Sequence, residues 1–462
     1  MAAAAAGHQQ LHQSLGGAAS TDAGRRVASY CRNYKTLEEE MATCRGLVPR
    51  LFSYSARLWR LCDSQNQKRL PFSTCAYSSP AVSVETLAEP SSYIPGRADF
   101  FGTSQYAQRI GSNAGPGHFR QLKVGGQLGN LIVSSLGIGT FGGSEYEEVD
   151  KDYIRNIIRG FDLGINVIDT ASNYRSMHSE LAIGEGMAKA IQQGIIQRNE
   201  VVVCTKGGFL SFDYRETVEP RTYIEDKYVK TGLFQWEEFV GGVHCLATPF
   251  VMNQLEISRR NLGLETIDIY YLHNPEIELG AVSRSVVLSR VRNLFVALEQ
   301  AVRDGKISMY GVSSWNAFRV TSGAKNYLSL EELVNFAKAA AGGEDHHFRA
   351  VMVPFNVHLQ DVANNATQSI RGKRVPLLHA AAHFGINVIA SSPLFQGALA
   401  KNLSPDVKKR FPELGESRTD AQCALQFSRT FPGILTTLTG MSKVSHMEEN
   451  AAIIRRPAMS QS

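Results

Sequence analysis

The 462-residue sequence has no run of about 18 apolar residues, the length a membrane-crossing helix needs, so no membrane insertion is expected. Its seven cysteines are odd in number and never stand in a CxxC spacing, which argues against a disulfide framework and a zinc site. Cys204 and Cys423 fall inside apolar runs and read as small buried hydrophobes. The pairs His244-Cys245 and His346-His347 have no third ligand at a metal spacing, so no metal is expected. Acidic residues are nearly missing from Met41 to Ser79, where Arg45, Arg50, Arg57, Arg60, Lys68 and Arg69 face a single Asp63. That segment accounts for the whole net charge of +5, so the rest of the chain balances and offers no basic face to a nucleic acid.

What is present begins with an extension. Residues 1–118 open on an Ala-, Gln- and Ser-rich stretch without a sustained period and return to Pro, Ser and Gly from Ser78 to Gly117, a composition that predicts disorder. Within it, residues 41–79 are rich in Arg and Ser, and Leu47, Leu51, Leu58 and Leu61 share one helical face. The segment resembles an organellar transit peptide, which makes mitochondrial import the expectation, a plastid the second choice and an untargeted cytoplasmic extension the third. It would sit unusually deep in the chain unless translation starts at Met41 rather than Met1.

From residue 119 to 456 the pattern is that of a folded body, with 457–462 as a tail. Residues 122–128 and 131–133 read as a hairpin turned by glycines. Strands then alternate with helices: 135–139, 166–169, 201–204, 267–272, 308–312, 350–353, 386–390 and 434–438 are short and apolar, and each precedes a helical pattern. Eight such repeats predict an α/β protein with a parallel sheet closed as a (β/α)8 TIM barrel, whose chemistry gathers at the C-terminal ends of the strands.

Four ionisable residues stand at or just past three of those ends: Asp169 and Tyr174 after the second strand, Lys206 after the third and His273 after the fourth. A phenol with a reference pKa of about 10 is a poor proton donor near neutrality, and a neighbouring ammonium favours its ionised form. Lys206 is expected to play that part, Asp169 to hold the ammonium, and His273 to orient a substrate oxygen toward Tyr174. Such a set protonates a carbonyl oxygen, and the hydride that the carbon then needs implies a nicotinamide cofactor.

The sequence here resembles the aldo/keto reductase family, from about Leu122 to Ile454. The resemblance is carried by Leu136-Gly137-Ile138-Gly139-Thr140-Phe141, Ile168-Asp169-Thr170-Ala171 with Tyr174, Cys204-Thr205-Lys206, and Ile267-Asp268-Ile269-Tyr270-Tyr271-Leu272-His273-Asn274-Pro275. It continues through Gly305-Lys306-Ile307, Gly311-Val312-Ser313-Ser314-Trp315, Pro393-Leu394 with Gln396-Gly397, and Gly440-Met441-Ser442-Lys443 with Glu449-Asn450. It implies a barrel plugged at its N-terminal end by the hairpin, and NADPH-dependent reduction of a small carbonyl compound with Tyr174 as the general acid.

The same resemblance assigns Gly139, Thr140 and Phe141 to the border of the cofactor and Ser313, with Ser314 beside it, to its carboxamide. Leu394, Gln396 and Gly397 would line its pyrophosphate, and Glu449 and Asn450 would meet its adenine. Gly440, Ser442 and Lys443 lead into the last short helix, where backbone N–H groups and an ammonium suit a 2′-phosphate, so NADPH is favoured over NADH. Three positions depart from the family pattern. Ser314 stands for an Asn, Met352 for a Gln, and Ser391 for an aromatic; Asn356, or an aromatic from the segment after it, is the expected substitute.

The segment 207–248 is far longer than an ordinary βα loop of about 2–6 residues and is rich in aromatics. It is expected to form a lid and pocket wall, with Trp236 and Trp315 facing the substrate. The chain ends at Ser462 soon after the last barrel helix, so this insertion is expected to replace the long C-terminal loop that closes the pocket in many relatives. Two other functions share the scaffold: a cofactor-binding regulatory subunit, as in the potassium-channel β subunits, and an NAD-linked sugar dehydrogenase. Oligomeric state is not legible.

Overall fold

The computed structural model describes residues 93–125, 129–213, 218–415 and 418–458. Eight parallel strands close a barrel: β3 (Leu136–Gly139), β4 (Val167–Asp169), β5 (Val202–Gly207), β6 (Ile267–His273), β7 (Ile307–Ser313), β8 (Phe348–Pro354), β11 (Asn387–Ser391) and β12 (Ile434–Gly440), the last pairing back onto β3. Most connections carry a helix that covers the outside, among them α2 (Glu147–Leu163), α3 (His178–Gln192), α4 (Thr248–Leu262), α5 (Arg284–Arg303), α6 (Leu330–Ala341), α7 (Leu377–Phe384), α8 (Asp420–Thr430) and α9 (Val444–Ala451). The bounds of the eight barrel strands fall within a few residues of the pattern-based expectation, because each is an apolar run broken by turn residues. The first hairpin strand, by contrast, lies at Phe119–Leu122 rather than at 122–128. Gly263, in the left-handed region at φ 62°, ends α4 as its position after the last periodic residue predicts.

Two hydrophobic layers result. Outward-facing strand residues such as Ile168, Val203 and Tyr270 pack under the helices, while Val167, Cys204, Ile269, Tyr271, Met309, Met352 and Leu438 fill the barrel. The hairpin β1 (Phe119–Leu122) and β2 (Leu131–Ser134) contributes Leu122, Val124, Leu131 and Val133 to that interior layer. Its position at the N-terminal end is fixed by polar ties. Asn166 accepts from the Ser134 amide and donates to the Ile132 carbonyl, and Asn387 bonds both the amide and the carbonyl of Lys123. The insertion between β8 and α7 holds a small hairpin of its own, β9 (Gln368–Ile370) with β10 (Lys373–Val375).

The folded body starts earlier than residue 119. Residues 93–118 include a helix, α1 (Phe100–Gly111), capped by Asp99, whose carboxylate accepts from the Gly102 amide at 2.6 Å. The buried Tyr106 donates to the carbonyls of Phe161 and Ile165, and Arg109 pairs with Glu200. The expectation of disorder therefore fails for this stretch. The proposed targeting segment, residues 41–79, lies outside the described residues. Among the described residues no helix is long and apolar enough to cross a membrane, and no cluster of three or more His, Cys, Asp or Glu is placed to hold a metal.

Candidate active site

The period of two along each strand selects which residues reach the C-terminal mouth. Val167, Cys204 and Tyr271 face the barrel interior, and two residues further on the same face presents Asp169, Lys206 and His273. Neighbouring strands bring them together: β4 registers with β5 through Asp169 and Cys204, and β5 with β6 through Lys206 and Tyr271. Tyr174 follows in the loop after β4. There Arg175, Ser176 and Met177 adopt φ of 51°, 51° and 74° in succession, a left-handed turn that non-glycine residues rarely form. It is held by Arg175, whose guanidinium donates to Asp150 and to the Ser144 carbonyl and lies over the Tyr153 ring, and by His178, which bonds the other oxygen of Asp150.

Lys206 is buried. Its Nζ donates to both oxygens of Asp169 at 2.8 and 2.7 Å and to the Thr170 carbonyl at 2.6 Å, and it lies 4.6 Å from the centre of the Tyr174 ring. Burial opposes the ammonium, but Asp169 and Tyr174 more than offset it and hold Lys206 above the ordinary lysine value. Lys206 does lower the phenol of Tyr174, as the sequence suggests, yet burial outweighs it, with Asp169 adding to the rise. Tyr174 is therefore raised above its usual value and stands as a neutral phenol, the form a general acid needs. His273 is pushed well below the usual histidine range by burial, then by the charge of Lys206, with His244 adding to the effect. A neutral imidazole can donate a hydrogen bond to a substrate oxygen without adding a second positive charge beside Lys206.

The rings form an aromatic rim. Phe141 meets Tyr174 edge-on at 5.1 Å, Tyr174 lies 6.0 Å from His273, and Phe209 packs on His273 at 4.7 Å. Phe209 is one of the aromatics of the segment expected to wall the pocket, but nothing in the sequence distinguishes it as the one that meets His273. The insertion itself is a packed excursion. Tyr228, Phe234, Phe239 and Phe250 of α4 stack into a core, and its base is zipped by Leu210 to Val243 and Cys245 to Gly208 backbone bonds. Trp236 takes part in that packing, 6.2 Å from Phe239. Its indole N–H donates to Glu225 at 2.6 Å, and Arg221 lies over its ring at 5.2 Å. Trp315 sits half-buried at the mouth beyond β7, its amide bonded to Glu276.

The aldo/keto reductase family model matches residues 135–461, most of the chain. The chain belongs to the aldo/keto reductase family. It is accordingly an NAD(P)H-dependent oxidoreductase. Among curated relatives, it is 25% identical over 348 residues to an L-galactose dehydrogenase of Arabidopsis thaliana, covering 72% of this chain and 88% of that one. It is also 25% identical over 340 residues to a putative voltage-gated potassium channel subunit beta of Schizosaccharomyces pombe, covering 70% and 85%. A solved aldo/keto reductase from Klebsiella pneumoniae is 21% identical with a TM-score of 0.48, covering 74% of this chain and 91% of that one.

The positions that the aldo/keto reductase resemblance assigns to a cofactor fall on several elements. Gly139 and Gly440 end adjacent strands, Phe141 is 48% exposed, and Thr140 is buried, with its hydroxyl on the Asp169 carbonyl. Gln396 and Gly397 are exposed in a turn at positive φ, and Leu394 is half-buried before them. Ser442 is half-buried, Lys443 is exposed at the N-cap of α9, Glu449 is half-buried and Asn450 is buried.

Of the three departures, Ser314 is committed to the protein itself: its hydroxyl donates to Glu276 at 2.8 Å and accepts from the Ala317 amide at 2.8 Å. Glu276, buried and also missed by sequence reasoning, accepts the Trp315 and Asn316 amides with the same oxygen and so clamps the loop that follows Ser313. Met352 joins the barrel interior and Ser391 is half-buried at the end of β11. Asn356 is not a stand-in for the missing amide. Its side chain is used up within its own loop, donating to the Ser392 carbonyl and accepting from the amides of His358 and Leu359.

Proposed function

We propose that this chain reduces the carbonyl group of a small aldehyde, ketone or sugar to an alcohol, with NADPH as the preferred reductant and Tyr174 as the general acid. The observation that carries the reading is the buried Asp169–Lys206 pair set 4.6 Å from the Tyr174 ring, with a neutral His273 beside it. The mouth also fits a phosphate-bearing cofactor by its chemistry. The helix α9 opens without a side-chain cap and without an acid in its first turn, and the exposed Lys443 stands at its head, so the positive end of the helix and one ammonium suit an anion. Ser442 and Lys443 would hold the 2′-phosphate, and Ser313 the carboxamide; the bound nicotinamide supplies the hydride.

The chain's own residues do the rest. His273 donates to the carbonyl oxygen and turns it toward Tyr174. The Tyr174 hydroxyl delivers its proton as charge builds on that oxygen, and the Lys206 ammonium stabilises the phenolate left behind. Asp169 keeps Lys206 charged and fixed. Phe141 and Phe209 shield the reacting atoms from water on either side of the Tyr174–His273 pair.

Titration with NADPH and NADH, followed by turnover of methylglyoxal, simple aldehydes and aldoses, tests this reading. Tight NADPH binding with Tyr174-dependent turnover is expected. NADPH binding without any turnover would instead favour a regulatory role like the one in the name of the potassium-channel relative. Turnover with NAD and free aldoses alone, in the oxidising direction, would favour a sugar dehydrogenase like the L-galactose relative. The acid-poor segment 41–79 supports mitochondrial import as a further part of the proposal, and a fluorescent fusion of residues 41–110 that stays diffuse in the cytosol would remove it.

A further inference from the structure

The residue that ties the long insertion to the catalytic strand is His244. It is fully buried, and its Nε2 lies 2.8 Å from the backbone carbonyl of His273, to which it donates. Three features converge on that bond. The chain turns sharply after His273, with Asn274 in the left-handed region at φ 49° and ψ 56°, and the Asn274 amide bonds the Ser313 carbonyl across the sheet. Gly208 occupies φ 131°, and a Cβ there would come to 3.0 Å from His244 Nε2 and 3.2 Å from the His273 oxygen, so only glycine leaves the space in which the two meet. Phe209 stands edge-on to both imidazoles, at 5.1 Å from His244 and 4.7 Å from His273.

Behind His244 the arrangement is fixed in turn. Glu278 is fully buried, accepts the Leu246 amide at 2.7 Å, pairs with Arg290 at 2.6 Å and lies 3.5 Å from His244 Nδ1. The backbone of His244 is bonded in both directions to Val240.

We infer that His244 is a positioning residue for His273: carried by the insertion and braced by Glu278 and Phe209, it fixes the backbone from which the catalytic imidazole projects. Resting on the proposed carbonyl reduction, this gives the insertion a catalytic purpose. A His273 backbone freed to rotate would carry its ring away from the substrate oxygen, and displacements of about 1 Å at a reacting centre can cost on the order of 100-fold in rate.

The test compares His244→Phe, which keeps a ring against Phe209 but donates nothing, with His244→Gln, which restores an N–H donor to the carbonyl. With methylglyoxal and NADPH, His244→Phe is expected to lower kcat about 10- to 100-fold with the NADPH Kd within about 2-fold of wild type. His244→Gln is expected to recover most of the loss. The ring resonances of His273, identified by their disappearance in His273→Gln, give a readout that needs no substrate. They should shift and broaden in His244→Phe and return toward wild type in His244→Gln. A wild-type protein without turnover would count against the proposed function, while the His273 resonances would still decide the positioning role. Unchanged resonances in a folded His244→Phe protein, or equal losses in Phe and Gln variants, would overturn it.

Discussion

Lys206→Met is the sharpest probe of the pair at the centre of the site. The substitution keeps an unbranched apolar stem of similar length and removes the ammonium. Lys206 and Asp169 are both buried, and among the described residues the Asp169 carboxylate makes its hydrogen bonds to Lys206 alone. Removing one member of a buried pair leaves an uncompensated charge, which costs about 3–5 kcal/mol. Urea unfolding at pH 7.5 should show a loss of that size.

The loss should depend on pH with a definite sign. Burial raises the Asp169 carboxyl, and without Lys206 nothing opposes that rise. A folded-state pKa above the unfolded one stabilises the fold below the unfolded pKa and ceases to do so as pH climbs through the folded pKa. The deficit of Lys206→Met should therefore shrink on going from pH 8 to pH 5. Adding Asp169→Leu should remove the orphan charge, so that the double variant unfolds at a higher urea concentration than Lys206→Met alone. Additive losses in the double variant, or a deficit independent of pH, would refute a buried ion pair at this position.

The remaining predictions concern the cofactor end, the pH profile and the insertion. Lys443→Ala should weaken NADPH binding about 5-fold, corresponding to roughly 1 kcal/mol at an exposed cation, and leave NADH binding unchanged, as read by fluorescence titration. Because burial and Lys206 hold His273 well below the ordinary histidine range, and burial raises Tyr174, kcat/KM for reduction should be flat from about pH 6 to 9; an inflection near 6.5 would mean that His273 titrates normally. Trp236→Phe should cost about 1 kcal/mol in urea unfolding through loss of the Glu225 bond while changing kcat less than 2-fold, since the indole packs within its own segment.

Much of this site is legible in the sequence, and the reason is periodicity. Asp169, Lys206 and His273 each interrupt an apolar run at the point where the interior-facing register runs out of barrel, so their side chains are committed to the mouth by counting alone. The helix Phe100–Gly111 was not legible because it lacks a continuous apolar face. Phe100 and Phe101 are exposed, Gly102, Thr103 and Tyr106 are buried, and the helix is held by polar ties to residues far along the chain. The role of His244, visible in the sequence only as half of a pair without a third metal ligand, and that of Glu276 are hidden for the same reason. Each acts through a single hydrogen bond or a clamp across tens of residues, to His273 and to the loop after Ser313, and leaves no local pattern. Tyr174 is raised rather than lowered, because spacing reveals the neighbouring ammonium but not the depth at which the phenol is buried.

In the proposed reaction, proton delivery by Tyr174 accompanies hydride transfer. Its most direct test is single-turnover oxidation of bound NADPH by methylglyoxal in wild type and in Tyr174→Phe, whose ring keeps the contacts with Phe141 and His273. A fall of about 100-fold or more in the rate, with NADPH affinity within about 2-fold of wild type, is the predicted result. A Tyr174→Phe protein that oxidises NADPH at the wild-type rate would contradict it.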